Sequence, residues 1–96
     1  MSNAELDRPV KYKDPGANLD YSFDWEDWLA VGETISTSSW SVSAGITKGS
    51  ETDTDTTTTV WLTGGTAGTA YTITCTVTTS TGRIDDRSMT IKVINR

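Results

Sequence analysis

From Tyr71 to Val93 the chain alternates apolar and polar side chains almost without a break. Tyr71, Ile73, Cys75 and Val77 are interleaved with Thr72, Thr74, Thr76 and Thr78; beyond Thr79-Ser80-Thr81-Gly82-Arg83, Met89, Ile91 and Val93 alternate with Ser88, Thr90 and Lys92. A period of two puts each set on one face of an extended strand, and a short Gly-containing stretch between two such runs is a hairpin turn. The hairpin has one apolar and one Thr-rich face. Its apolar face must be covered by a second layer.

Leu19 to Gly32 is the best candidate for the cover. Leu19, Tyr21, Phe23 and Trp25 alternate with Asp20, Ser22 and Asp24, the period of a half-buried strand. The period then changes. Trp25, Trp28 and Leu29 are spaced i, i+3, i+4, which predicts a short helical turn near 25–30, capped by Asp24 and ended by Gly32. This block reads as the first strand and bottom plug of a sandwich, with Trp25, Trp28 and Trp40 buried. Further strands fall near 34–37, 40–44, 46–50 and 56–63. Ile35 is out of phase with Trp40, Val42 and Ala44, which predicts a β-bulge around Ser38-Ser39. In TTTTVWLT, Val60 and Leu62 point inward, and Trp61 covers an edge or meets a partner. With strands at 71–79 and 87–94 the count is about seven, spaced as in a β-sandwich.

Residues 1–18 contain both prolines and no apolar period, and read as an extended N-terminal arm with a turn at Asp14-Pro15-Gly16. Residues 19–96 form the sandwich. Glu51, Asp53 and Asp55 alternate with Thr. Calcium would need oxygen ligands converging on one point, and the Gly and Glu offsets of a calcium loop are missing, so a solvated acidic loop is the simpler reading. Gly64 to Ala70 lacks the Lys-Ser/Thr ending of a phosphate loop. It leads into Tyr71, at the start of a strand, and there resembles the tyrosine corner of immunoglobulin-like domains, whose phenol bonds back to backbone a few residues upstream.

Several function classes are disfavoured. With 13 acidic against 8 basic residues, the surface is wrong for phosphate neutralisation and nucleic acid is not an expected partner. No apolar run suits a membrane span. Cys75 stands alone, which fits a reducing cytoplasm during synthesis and a place in the core; with no His in the chain, zinc, haem and Ser-His-Asp chemistry lack their residues. No cofactor is expected. Asp85 and Asp86 are adjacent on a strand and point to opposite faces, so they cannot share a catalytic site.

The run LDYSFDWEDWLAVGETI, then TTTTVWLTGGTAGTAYTITCTVTTSTGR, then DDRSMTIKVINR resembles small tailed-bacteriophage and prophage virion proteins of the fibre-tail adaptor type, over residues 14 to 96. The most specific part is DW..WL with TTVWL.GGTAGT.Y and TSTGR.D.RS.TI. The resemblance implies an all-β, immunoglobulin-like fold. It also implies a non-enzymatic virion protein that joins tail fibres or other decorations to the tail or neck, in several copies around a symmetric tail. The residues favoured for partner contact are Tyr12, Asp14 and Pro15 in the arm, and Trp61. The alternative is a carbohydrate-binding sandwich that stacks sugars on Trp61.

Overall fold

The computed structural model describes residues 9–95. Residues 1–8 of the expected arm lie outside it. Seven strands follow one another: β1 (Val10–Lys13), β2 (Leu19–Asp24), β3 (Ile35–Val42), β4 (Ile46–Asp53), β5 (Thr57–Gly64), β6 (Ala70–Thr79) and β7 (Ile84–Val93). They form two sheets, one ordered β1-β7-β6-β3 and the other β2-β5-β4. All neighbours are antiparallel except β1, which runs parallel to β7. The immunoglobulin constant-type partition groups the first, second, fifth and fourth strands against the third, sixth and seventh. Here the first strand lies with the last instead.

One apolar cluster joins the sheets. Phe23, Trp25, Val60 and Leu62 from one layer meet Trp40, Ile73, Val77, Met89 and Ile91 from the other, all 7% exposed or less. The alternation read from 71 to 93 is the alternation observed: Tyr71, Ile73, Cys75, Val77, Met89, Ile91 and Val93 are all buried, and within that span only Ile84, which opens β7, is an exposed apolar residue. Phe23 and Trp40 stack across the sheets, ring centres 5.6 Å apart and planes 11° apart. Val60 and Leu62 are buried and Trp61 points out, as the count of apolar residues favoured.

Several local features differ from the sequence reading. Part of the stretch read as an arm, Val10–Lys13, is a strand on the chain's own sheet. Its inward position, Lys13, is fully buried, with Nζ donating to the carbonyls of Asp14 (2.9 Å) and Gly64 (2.8 Å). Burial lowers that ammonium's pKa, partly offset by the Asp14 carboxylate. The register slip in β3 lies between Ile35 and Thr37, so Ser36 is the extra residue and Ser38-Ser39 belongs to a regular ladder. The strand extends from Ile35 through Val42 without a gap because β6 offers it a continuous partner. For the same reason β7 starts at Ile84 rather than 87: pairing with β6 draws Asp85 and Asp86 into the ladder despite their charge. Residues 25–30 form a single hydrogen-bonded turn and no helix. The Trp25 carbonyl accepts the N–H groups of Trp28 (2.9 Å) and Leu29 (3.0 Å), and Asp24 Oδ1 accepts that of Glu26 (2.9 Å).

The glycine-rich turn before β6 is shaped by Tyr71. Its hydroxyl accepts the Thr66 N–H at 2.8 Å, which also lowers the phenol's pKa. Gly65 has φ +94°, and a Cβ there would stand 2.7 Å from Val93 Cγ2, so only glycine fits between the corner and β7.

Candidate functional site

A partner-binding protein is read from what its fold leaves unused, so the polar groups must first be traced to their partners. Glu33, buried after β2, accepts from the Ala30 N–H (2.9 Å), the Thr79 and Thr81 hydroxyls (2.6 Å each), Arg83 Nε (2.9 Å) and Arg83 Nη2. Arg83, foremost among these donors, holds the carboxyl's pKa far below the usual carboxylate range. Arg83 also reaches the Trp28 carbonyl at 3.2 Å and lies 4.3 Å over the Trp28 ring. Arg87 sits 4.3 Å over Trp25 and donates to the Asp24 carbonyl at 2.9 Å. The two sequence blocks DW..WL and GR.D.R are therefore one structure: a plug of Trp25 and Trp28 covered by Arg83 and Arg87. Trp28 is half-buried beneath its arginine, not fully enclosed as expected.

Thr58 is the polar centre of the core. Its hydroxyl accepts from Trp25 Nε1 at 3.0 Å and from the Cys75 thiol at 3.3 Å. Burial pushes the Cys75 thiol up to about 11. The acidic run 51–55 is neither a loop throughout nor merely solvated, because β4 extends to Asp53. Glu51 Oε1 accepts the Trp40 N–H (3.1 Å), Lys48 Nζ donates to the Trp40 carbonyl (2.8 Å), and Lys48 and Glu51 pair at 2.8 Å. Asp53 accepts the Ser38 hydroxyl at 2.8 Å.

These contacts share a pattern. β1 and β3 are the edges of one sheet, β2 and β4 those of the other. Side chains of β4 hold the backbone of β3. Tyr21 of β2 donates its hydroxyl to the Tyr12 carbonyl of β1 at 3.1 Å, and Arg87 of β7 holds the end of β2. Each contact crosses from one sheet to the other and occupies edge groups that could otherwise pair with a foreign strand. Docking by strand addition is thereby hindered along these stretches.

The outer faces remain. Each is short-chained, largely Thr and Ser, with one exposed aromatic. Tyr12 stands on the outer face of the four-stranded sheet, directly opposite Lys92, with Val10 two residues before it on the same face. Trp61 stands on the central strand of the other sheet, directly opposite Asp20. Asp14 and Pro15 are half-buried in the turn after β1: Asp14 Oδ2 accepts the Gly16 N–H (2.8 Å) and the Asp14 carbonyl that of Ala17 (3.0 Å). The four residues favoured from sequence thus divide into two on opposite outer faces and two that build a turn. Lys92 and Asp20 were missed. Only the strand register, invisible in an alternating pattern, sets each beside its aromatic.

The family model described as Gp77, podophage GP4 fiber-tail adaptor protein gp77, matches residues 13–92. That span runs from the buried Lys13 to Lys92 and includes both plug blocks, the tyrosine corner and Trp61. No curated protein matches the chain.

Proposed function

This chain belongs to the family of the podophage GP4 fiber-tail adaptor protein gp77, and from that premise we propose that it is a non-enzymatic virion protein which attaches tail fibres to the phage tail or neck through its outer sheet faces. The family match over nearly the whole fold carries the reading. The geometry supports it in two ways. Glu33, Arg83, Arg87, Lys13 and Cys75 are committed to holding the sandwich together. The aromatics left on the surface, Tyr12 and Trp61, are of the type enriched at the centres of protein interfaces. In this reading the partners are other virion proteins and the protein resides in the assembled particle. Tyr12 and Trp61 make the contacts, and Asp14 and Pro15 hold the turn that positions β1.

The carbohydrate alternative rests on Trp61, which is 39% exposed on the outer face of the three-stranded sheet. Trp25 and Trp40 are enclosed and add nothing to a sugar platform. Particles assembled without this chain decide between them. On the adaptor reading they have complete tails but lack fibres, and the purified chain restores fibre attachment. Fibres seated normally in its absence would refute the attachment role.

A further inference from the structure

The two exposed aromatics differ in the charge beside them. Tyr12 is 49% exposed and shares its face with the exposed Lys92; Trp61 is 39% exposed and shares its face with the exposed Asp20. Neither Lys92 nor Asp20 forms an ion pair with another described residue, whereas Lys48 and Arg83 do. Lys13 is buried and Arg87 covers Trp25. Gly49 of β4 lies beside Trp61, where an added Cβ would stand 3.5 Å from Trp61 Cβ, so this neighbour places no side chain against the tryptophan.

We propose that the chain binds a second copy of itself head to tail, the Tyr12–Lys92 pair of one copy seated against the Trp61–Asp20 pair of the next. The patches lie on outer faces of different sheets, so they cannot meet within one chain. Joining like patches would set Lys92 against Lys92 or Asp20 against Asp20, which opposes a two-fold contact. Joining unlike patches brings opposite charges together and covers two amphipathic rings, each with an apolar body and a polar tip. Val10, 45% exposed on the Tyr12 face, adds apolar area. Such a contact repeats in one sense and closes into a ring or continues as a helix, depending on the rotation between copies. The staples at the edges leave faces, rather than strand addition, as the route of association.

Sedimentation velocity of the full chain over a concentration series tests the contact. The wild type forms larger species as concentration rises. Lys92→Glu and Asp20→Lys, both at exposed positions, each weaken association by roughly tenfold or more because like charges then face one another. The double variant, with the pair reversed, associates again. Thermal melts followed by circular dichroism are unchanged across the set. A wild type that stays monomeric throughout, single variants that associate like the wild type, or a double variant no better than the singles would each overturn the proposal. The proposal rests on the reading of the outer faces as docking surfaces, and the two can fail separately: sedimentation tests the contact between copies, and restoration of fibres to particles by the purified chain tests attachment.

Discussion

At the scale of single residues, the core depends on how a few polar atoms are satisfied. Thr58 is fully buried between the layers and takes hydrogen bonds from Trp25 and Cys75. Thr58→Val keeps the shape and strands the indole N–H, so it should destabilise by about 1–3 kcal/mol in urea unfolding. Trp40 differs from Trp25 in that its buried Nε1 has no hydrogen-bond partner among the described residues. Trp40→Phe should therefore be better tolerated than Trp25→Phe, although Trp40→Ala, which empties the site against Phe23, should cost about 3–5 kcal/mol. Cys75 supplies a pH signature. Its thiol is raised by burial to about 11, so the folded chain keeps the proton that the unfolded chain releases at lower pH. The resulting stability is present at neutral pH and lost as pH rises from roughly 8.5, the free-thiol value, through about 11. Cys75→Ser or Ala should remove that alkaline slope.

At the scale of elements, the plug and β1 show what local sequence can and cannot reveal. The hairpin β6–β7 was legible because burial on one face writes a period of two into the chain. β1 was not. Its one buried position is Lys13, so no apolar period exists, and the strand is held by the β7 backbone and by Lys13 on two carbonyls. The Glu33–Arg83 contact joins residues 50 apart and leaves no local pattern either. Two outcomes follow. Removing residues 1–13 should give a clearly lower melting temperature than removing 1–8, since the longer truncation takes β1 and the buried lysine. For Glu33, whose folded pKa is depressed, the stability it contributes is present above the unfolded carboxylate value. It is lost as pH falls from roughly 4.3 toward the lower folded value. Glu33→Gln should lower the melting temperature at pH 7 and flatten its fall in acid; an unchanged acid slope would show that other carboxylates set it.

At the scale of the whole molecule, the division of labour is between interior and faces. Glu33, Arg83, Arg87, Lys48 and Glu51 look like surface charge in the sequence, yet they close the plug and hold the edges. Such side-chain contacts across edges discourage chance pairing between copies. They involve all four edge strands of the sandwich. The outer faces were half-legible: Tyr12 and Trp61 could be chosen by type, but their charged neighbours needed the register.

Hydroxyl-radical footprinting of the chain, free and within intact particles, tests docking through the outer faces most directly. Tyr12 and Trp61 are both exposed in the single chain and should be oxidised readily at dilutions where the free chain is monomeric. In particles both should be protected. Equal oxidation of the two rings in free chain and particle would contradict docking through the outer faces.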